Sequence, residues 1–526
     1  MGKRSILAAI FATLVATEAV AAQTFPTADP VIRRLWQLGM DESQAPQLAQ
    51  VLMDSIGPRL TGSPGQKAAH DWAVKMYESW GIPGRNEQYG TWTGWRRGIT
   101  HIDLIAPRVR SLEGMMMAWS GGTDGRPVEG DVVVLPEFTS AQDFQAWLGS
   151  VRGKFVALDF AEPTCRPNSQ WQEFGAPAPQ GGTSSFERMS TKRDTARSAW
   201  QQRVRATGLN IGDLRLRLEE AGAAGILHSR WSNDYGVNKV FSTNTRRIPS
   251  VDLSCEDYGL IVRLAANNQS PRLRVTAEAE FTAEAPTFNT IAEIKGTQLP
   301  NEYVLLSAHF DSWDGSSGAT DNGTGTITMM EAMRILKLAY PNPRRTILVG
   351  HWSGEEQGLN GSRAFAHDHP EIVEGLQALF NQDNGTGRVV NISMQGLTAA
   401  GAHFASWLSR IPQEITGYID LNMPGSPGGG GSDYASFICA GAPAFSLSAL
   451  NWGYGTYTWH TNRDTYDKIV MDDLKNNATL TAMLVYLASE DPQRISRDRR
   501  VMANPRTGEP IPWPQCRDGA RTPPTN

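Results

Sequence analysis

The stretch that decides the fold is residues 303–325, YVLLSAHFDSWDGSSGATDNGTG. It begins with an apolar run, Tyr303–Ala308, which has the length of a buried strand and ends at His309. Asp321 follows in a Gly-rich turn, and residues 326–338 then have the apolar spacing of a helix. A strand, a turn and a helix in this order predict an open α/β sheet, whose ligand-binding side chains lie beyond the carboxyl ends of the strands.

Two further apolar runs end near acidic residues. The run 346–350 precedes Glu356, and the run 376–380 precedes Asp383. If both runs are strands of the same sheet, these carboxylates and His309 meet at one edge of that sheet.

Imidazole nitrogens and carboxylate oxygens are ligands that zinc takes, and a catalytic zinc keeps one position for water. Two zinc ions about 3.5–4 Å apart also need one carboxylate that touches both, and Asp321 is the candidate for this bridge. The last ligand is expected far downstream, where Trp459-His460-Thr461 supplies a histidine. The predicted two-zinc centre consists of His309, Asp321, Glu356, Asp383 and His460.

Two other acidic residues are predicted to serve this centre. Glu355 and Glu356 are adjacent on an irregular turn, so their side chains can face different ways and Glu355 can stay free as the general base. Asp311 follows His309 by two residues, so on an extended backbone both side chains share a face and the carboxylate can hold the imidazole in one tautomer. Asp464 is expected to steady the downstream loop.

The chain resembles the co-catalytic zinc aminopeptidase family in these segments and in N-Q-D-N-G at 381–385, G-S-D-Y-A-S-F at 431–437 and W-H-T-N-R-D-T at 459–465. H-F-D-S-W-D at 309–314 is similar to the carboxypeptidase Q branch of that family. One departure is Tyr434, which stands where many relatives have histidine. It leaves the metal ligands intact, so it bears on substrate contacts rather than on metal binding.

This resemblance implies a zinc-exopeptidase fold of the α/β class, in which helices flank a mixed central sheet, with two Zn²⁺ as cofactors. The ligand pairs that it implies are His309 with Asp383 and Glu356 with His460, bridged by Asp321. It matches Glu355 to the family's general base and Asp311 to its metal-adjacent aspartate.

The region before the metal motifs predicts a second, smaller α/β unit. Its strands are expected at 130–135, 154–160 and 225–228, and its helices at 214–223 and 256–266. The alternation resembles a protease-associated domain inserted in the peptidase, and the alternative is a set of extra strands of one sheet. The predicted division is a signal peptide at 1–22, the N-terminal part of the peptidase domain at 23–120, the insert at 121–280, the catalytic domain at 281–490 and a Pro- and Arg-rich tail at 491–526.

Three segments are polar, Gly-rich or Pro-rich and have no steady periodicity. Residues 166–210 are expected to form a long loop, either a functional one that overhangs the site or a disordered one. Residues 424–431 are expected to be a flexible loop that either gates the site or only connects elements. The tail is expected to be extended or partly disordered.

The first 22 residues indicate export. Lys3-Arg4 is followed by an apolar run at 6–15 and by small residues at 19–22, an order typical of a signal peptide. The apolar run is too short to span a bilayer, so the mature protein is expected in the periplasm or outside the cell.

Charge and cysteine content narrow the function further. A net charge of -5 and a pI near 6.0 give no basic surface for nucleic acid or for an anionic membrane. The cysteines form no C-x-x-C pair, which argues against a thiolate zinc site and leaves both disulfides and free thiols open. They are Cys165, Cys255, Cys439 and Cys516.

The sequence therefore predicts a zinc exopeptidase that acts on dipeptides or short peptides. The alternatives are a glutaminyl cyclase-like acyltransferase, which uses a single zinc, and a non-catalytic receptor on the same fold. The complete ligand set favours hydrolysis. The end of the peptide that is trimmed stays open, because Arg463 is either a clamp for a terminal carboxylate or an exposed loop residue. The expected partners are a short peptide substrate and, as a homodimer, a second copy of the chain.

Overall fold

The computed structural model describes residues 23–504 and 506–524. The predicted signal peptide at 1–22 lies outside the described residues. Two eight-stranded sheets form the framework. Within the described ranges, no helix combines the length and the hydropathy that crossing a bilayer requires.

The strands are numbered in chain order. They are β1 (Gly84–Trp92), β2 (Trp95–Ala106), β3 (Arg110–Ser111), β4 (Gly114–Met116), β5 (Val128–Val134), β6 (Phe155–Ala157), β7 (Gly225–His228), β8 (Ser250–Leu253), β9 (Arg272–Phe281), β10 (Ala285–Ile294), β11 (Leu299–His309), β12 (Arg345–Trp352), β13 (Leu376–Asn381), β14 (Val389–Ser393), β15 (Asp420–Asn422), β16 (Ala444–Ala449), β17 (Met502–Ala503) and β18 (Pro510–Ile511).

The α-helices are numbered in the same way. They are α1 (Pro30–Trp36), α2 (Ala45–Gln50), α3 (Pro64–Ser79), α4 (Ala141–Leu148), α5 (Asn168–Phe174), α6 (Ser185–Ala206), α7 (Ile211–Glu220), α8 (Cys255–Ala266), α9 (Thr324–Ala339), α10 (Asn360–Asp368), α11 (Pro370–Gly375), α12 (Ala400–Leu408), α13 (Gln413–Thr416), α14 (Ala435–Ile438) and α15 (Met471–Glu490). Short helical turns lie at Gln37–Asp41, Val51–Ile56, Ala319–Gly323, Tyr454–Thr458 and Tyr466–Lys468.

The first sheet is mixed and has the spatial order β1-β10-β12-β11-β13-β16-β14-β15. Its centre is parallel, because β12, β11, β13 and β16 run in one direction, while β10 is antiparallel to β12 and β14 is antiparallel to β16. Every residue of β12 and β13 is buried, and α9 and α15 pack against the central strands. Strands covered on both faces are near-continuous apolar runs, which is the pattern in the sequence. The predicted mixed α/β fold is confirmed.

The second sheet is separate from the first and has the order β3-β2-β9-β5-β6-β7-β8-β4. Strands β5 to β8 run parallel in its centre, and α7 and α8 lie where helices were expected. These strands therefore do not extend the first sheet. The second sheet begins with β2, ahead of residue 121, where the sequence placed the start of the insert. Its identity as a protease-associated domain stays a prediction.

A buried ion pair joins the two sheets next to the predicted site. Arg97 on β2 donates to both carboxylate oxygens of Asp314 over 2.8 and 2.9 Å. Asp314 follows β11 closely, in the segment that also carries Asp311. Its side chain is 5% exposed, so it supports the contact between the sheets.

The expected long loop at 166–210 is wrong for most of its length, because this region contains α5 and α6. Ser184 and Glu187 form a reciprocal cap at the start of α6, which satisfies backbone N–H groups that would otherwise lack partners. Met189 is the one fully buried residue of this helix. A helix that is polar on almost all sides has no apolar stripe, so its periodicity does not appear in the sequence.

Disulfides join all four cysteines, Cys165 to Cys255 and Cys439 to Cys516. The second bond attaches the Pro-rich tail to the segment that follows α14. The tail is extended, as expected, and also contains the small hairpin of β17 and β18. It is fixed to the first sheet at several points and contributes to a cavity described below.

Candidate metal centre

The strand ends of the first sheet bring three of the predicted ligands together. β11 ends at His309, β12 ends shortly before Glu356, and β13 ends two residues before Asp383. Because β12, β11 and β13 are neighbouring parallel strands, their carboxyl ends lie side by side. Nε2 of His309 lies 3.2 Å from Oδ1 of Asp383.

Asp321 lies between the two histidines and faces each with a different oxygen. Its Oδ1 is 3.5 Å from Nε2 of His309, and its Oδ2 is 3.1 Å from Nε2 of His460. Oε2 of Glu356 is 2.9 Å from the same His460 nitrogen. Two ligands that each lie about 2.0–2.1 Å from one tetrahedral zinc are about 3.3 Å apart, so these separations suit two neighbouring cations.

The candidate ligand atoms fall into two groups, in each of which they lie within 4.8 Å of one another. One group contains Asp321, Glu356 and His460. The other contains His309, Glu355 and Asp383. Glu355 therefore lies close enough to bind a cation or to act on a water beside it, and geometry alone leaves both roles open.

His309 is oriented by a backbone carbonyl. Its Nδ1 lies 3.0 Å from the carbonyl oxygen of Asp311 and 3.6 Å from the nearer carboxylate oxygen. Donation from Nδ1 to the carbonyl leaves Nε2 unprotonated and free to bind a cation. The carbonyl of Asp311, rather than the carboxylate that the sequence suggested, therefore makes the closer contact with the imidazole.

The carboxylate of Asp311 instead organises the turn that carries the two glutamates. Its oxygens accept hydrogen bonds from the amides of Glu355 and Glu356 over 3.2 and 3.3 Å. The hydroxyl of Thr61 donates to it over 3.2 Å. Asp311 therefore positions both glutamates relative to His309.

Asp464 performs the equivalent task for Asp321. Its two oxygens accept hydrogen bonds from the amides of Thr320 and Asp321 over 2.8 and 3.0 Å. Arg59 is fully buried beside the same turn and donates to the carbonyls of Ser317 and Gly318 over 2.7 and 2.9 Å. The loop in which the sequence placed Asp464 is thereby tied to the Asp321 turn.

The second sheet holds the loop of His460, a contact that the linear sequence does not reveal. The amide of Val240 donates to the carbonyl of His460 over 2.8 Å. The ring of Phe241 packs edge-on against the imidazole, with centroids 5.1 Å apart. His460 has a φ of 58°, which is uncommon for a residue other than glycine, so its conformation depends on such contacts.

The carboxylates of this centre shift one another's pKa values. Burial, with the charge of Asp321, raises the pKa of Glu356 to about 7. Burial also raises the pKa of Glu355 well above its usual value. For His309, burial lowers the pKa, but the charges of Asp383 and Glu355 outweigh it and hold the pKa well above the ordinary range. Crowded acids in a desolvated site need cations to stay ionised.

The donor atoms fit divalent metal ions. Oε1 of Glu356 is buried and has no hydrogen-bond partner among the residues that the structure describes. An unpaired buried carboxylate oxygen is costly, and a bound cation removes that cost. Two imidazoles with carboxylates are a donor set that suits zinc.

Three residues, Arg463, His351 and His403, contact partners other than the predicted metal ligands. Arg463 pairs with exposed Glu113, so its guanidinium is already engaged. His351 bonds to Tyr77 over 2.7 Å and His403 to Asp491 over 2.9 Å, so both imidazoles have partners other than the predicted ligands.

Asp433 and Tyr454 were not predicted as site residues. Burial raises the pKa of Asp433 to about 7, and Asp383 lies close enough to add to that shift. Burial raises the pKa of Tyr454 well above its usual value, and the charge of Asp321 raises it further. The motif around Asp433 could have pointed to it, whereas no signal in the sequence marks Tyr454.

A cavity of about 580 Å³ opens beside Glu356. Trp313 and Gln357 line it from the first sheet, and Arg215 lines it from α7 of the second. The tail supplies a further wall, at 520 and 522–524. This volume is in the range of small-ligand sites.

The chain is similar to known peptidases. Residues 289–485 match the family described as Peptidase family M28. Carboxypeptidase Q of Pongo abelii is 23% identical over 462 residues, which cover 87% of this chain and 88% of that protein.

Two solved structures are similar to this chain. The crystal structure of a Peptidase M28 precursor from Shewanella amazonensis SB2B has a TM-score of 0.63 and 25% identity, and the match covers 89% of this chain and 97% of the other. BSAP, a zinc aminopeptidase from Bacillus subtilis, has a TM-score of 0.53 at 18% identity, with 86% and 96% covered, which shows a shared fold.

Proposed function

We propose that this chain, a metallopeptidase whose residues 289–485 match Peptidase family M28, is an exopeptidase that hydrolyses dipeptides or short peptides with two zinc ions. The observation that carries the proposal is the position of Asp321. Its two oxygens face two histidines, and each histidine has its own carboxylate neighbour. One bridging carboxylate between two separate ligand sets is what a two-metal site requires.

When bound, zinc polarises the scissile carbonyl and makes water more acidic. Glu355 is the general base in this proposal: its carboxylate takes a proton from the attacking water and later donates it to the leaving amine. Asp311 supports this step, because it fixes the backbone of Glu355 relative to His309. Glu355, which the geometry also allows as a ligand, is assigned as base because His309, Asp383 and the bridging Asp321 already supply three ligands for that zinc, and a catalytic zinc keeps its next position for water.

Arg215 is our candidate for the contact with a free substrate carboxylate. It lines the cavity next to Glu356 and is 6% exposed. Its Nε and Nη2 have no hydrogen-bond partner among the described residues, and Nη1 reaches the carbonyl of Ser242 only at 3.5 Å. Burial lowers its pKa to about 10, so it stays charged at neutral pH. A buried guanidinium with unused donors is suited to bind a carboxylate.

Replacing Arg215 tests this contact. Arg215→Gln should raise KM for dipeptides with a free carboxylate about tenfold or more, because a charge-assisted bond is lost. KM for the same dipeptides with an amidated carboxyl end should stay unchanged. Arg217→Gln is the matched control, since Arg217 lies on the same helix and pairs with Glu220 at the surface. Equal effects of Arg215→Gln on free and amidated substrates would exclude the clamp.

A peptide panel tests the function itself. Unblocked dipeptides and tripeptides should be cleaved by the zinc-loaded enzyme and not after treatment with a chelator, and each peptide is also tested with its amino end or its carboxyl end blocked. Loss of cleavage on blocking the carboxyl end would indicate a carboxypeptidase or dipeptidase, and loss on blocking the amine alone would indicate an aminopeptidase. Cyclisation of N-terminal glutamine without hydrolysis would favour the cyclase alternative, and binding without turnover would favour the receptor.

Export is part of the proposal. The disulfides Cys165–Cys255 and Cys439–Cys516 support it, because such bonds persist in oxidising compartments. A fusion of residues 1–22 to a reporter enzyme should direct that reporter out of the cytoplasm. Retention of the reporter in the cytoplasm would contradict the proposed signal peptide.

A further inference from the structure

Residues 506–524 of the tail are attached to the segment of α14, close to the metal centre. The indole Nε1 of Trp513 donates to the carbonyl of Ile438 over 2.8 Å, and the guanidinium of Arg499 lies 4.6 Å from the centroid of the Trp513 ring. The disulfide from Cys439 then holds Cys516. These contacts fix the tail beside α14, the helix that directly follows the Asp433 motif.

From Cys516 the tail crosses to β1, the edge strand of the first sheet. The amide of Ala520 donates to Oδ1 of Asn360 over 2.9 Å. The amide of Thr91 donates to the carbonyl of Arg521 over 2.8 Å, and Nη1 of Arg521 donates to the carbonyl of Tyr89 over 3.1 Å. The tail is therefore bonded to the sheet through its backbone and does not only rest on the surface.

Two glycines permit this close approach. A Cβ on Gly90 would lie 2.2 Å from the carbonyl oxygen of Arg521, and a Cβ on Gly519 would lie 2.3 Å from the carbonyl oxygen of Asn360. Neither glycine has a positive φ, so backbone freedom does not explain them. Glycine is needed here because two backbones come too close for any side chain.

The tail then forms one side of the cavity beside the metal centre. Ala520, Thr522, Pro523 and Pro524 line the same cavity as Glu356 and Gln357. Two consecutive prolines restrict the backbone, so this side of the cavity is stiff. Each further residue of an extended peptide needs about 3.3–3.6 Å of additional space.

We infer that residues 520–524 are the wall that limits substrate length and so restrict the enzyme to short peptides. The inference rests on the proposed function, because it concerns which peptides reach that site. None of the proposed metal ligands is among residues 520–524, so removal of the wall leaves the chemistry in place and changes only which substrates fit.

The principal test is removal of the wall. A variant that lacks every residue after Asp518 keeps the Cys439–Cys516 bond. Its ratio of kcat/KM for an alanine tetrapeptide to kcat/KM for an alanine dipeptide should rise at least about tenfold over the wild type, because steric exclusion has this order of magnitude. A folded deletion variant with an unchanged ratio would overturn the inference.

Smaller changes test the same wall if the deletion does not fold. Gly90→Ala and Gly519→Val each add a side chain where the backbones touch, so each should displace the tail and raise the ratio. Arg506→Gln, in the exposed β17–β18 turn, is the control and should leave it unchanged. Wild-type ratios in both glycine variants, with the tail displaced as judged by tryptic cleavage at Arg521, would also overturn the inference.

The disulfide gives an independent test. Replacing Cys439 and Cys516 together with serine releases the anchor of the tail and should raise the ratio. Replacing Cys165 and Cys255 in the same way breaks the bond in the second unit and should not. Paired substitution is preferable to a thiol reductant, because thiols also bind zinc. Equal ratios in the two double variants would count against the wall.

Measurements of peptide binding distinguish this inference from the proposed function. The zinc-loaded Glu355→Gln variant should bind the dipeptide more tightly than the tetrapeptide in calorimetry, and the deletion should remove that difference. If the wild type cleaves no peptide but this length preference in binding appears, the proposed function is wrong and the inference about the wall is kept. If peptides are cleaved but binding does not depend on the tail, the inference about the wall is wrong and the proposed function is kept.

Discussion

Among single residues, Glu355 is the one whose role can be separated most clearly from metal binding. Its carboxylate lies with His309 and Asp383 in one possible ligand group, yet the proposed mechanism uses it as a base. The two roles predict different metal contents for the same substitution. Zinc analysis therefore decides between them without reference to activity.

Glu355→Gln should keep two zinc ions per chain and lose activity. The amide is close to the carboxylate in shape but cannot accept the proton, so kcat should fall about 10²–10⁴-fold. Elemental analysis and peptide hydrolysis measure the two quantities on one sample. Glu371→Gln, an exposed glutamate on α11, is the control. Loss of one zinc would instead identify Glu355 as a ligand, and retained turnover would remove it from the mechanism.

His460→Ala should lose one zinc and keep the other. Nε2 of His460 contacts Asp321 and Glu356, so its removal deprives that group of its imidazole while His309 and Asp383 stay in place. Elemental analysis after dialysis against limiting zinc should give about one ion per chain. His403→Ala, which removes a histidine paired with Asp491 far from the site, should retain two. Two ions in His460→Ala would contradict the ligand assignment.

At the scale of elements, the site divides into strand ends and loops. β11, β12 and β13 deliver His309, Glu356 and Asp383, because parallel neighbours end at one edge. The Asp321 turn and the loop of His460 have no strand to place them. Asp464 ties the Asp321 turn to the loop of His460. The segment around Val240, which belongs to the second sheet's half of the molecule, holds the loop of His460. The two sheets therefore complete one site.

Phe241→Ala should weaken the binding of one zinc. The ring packs against the imidazole of His460 and against Trp313, so its loss leaves the His460 loop less constrained. Residues that orient metal ligands typically contribute 10–100-fold in affinity, and an effect of about tenfold is expected. Competition with a zinc-binding dye measures it. Phe138→Ala, which removes a ring packed within the second unit, is the control. Equal zinc affinity in both variants would exclude a positioning role for Phe241.

For the whole molecule, metal binding should couple directly to stability. The proposed ligands extend from His309 to His460, and the cations would cross-link the segments that carry them. A ligand that binds only the folded state stabilises it by about 2.7 kcal/mol at a hundredfold excess over Kd.

Chelation should therefore lower the melting temperature, and added zinc should restore it. Differential scanning calorimetry of the enzyme with zinc, with chelator, and with chelator followed by excess zinc measures the shift. Magnesium should not restore it, because its preference for oxygen ligands suits this histidine-containing set poorly. His460→Ala should show a smaller shift than the wild type. Identical melting temperatures with and without chelator would contradict a folded-state metal site.

The tail and α6 mark the limit of what the sequence predicts about the whole molecule. Apolar runs predicted the first sheet, because strands buried on both faces must be apolar throughout. α6 is polar on nearly every side, so its order comes from a capped start and from Arg193 pairing with Glu162. The tail is held by Cys516 and by backbone contacts with β1. Caps, ion pairs, disulfides and backbone contacts produce no periodic pattern of apolar residues in the sequence.

The sequence by itself determined the α/β framework and the candidate ligands, because strand burial and metal chemistry both restrict residue types locally. It also named Glu355 and Asp311, but not which atoms of Asp311 act on which neighbours. Only the tertiary structure decided that the second sheet holds His460, that Arg215 lies in the cavity and that the tail closes one side of it. Those contacts join residues that are more than a hundred positions apart, and they depend on how the sheets and the tail pack rather than on any local pattern.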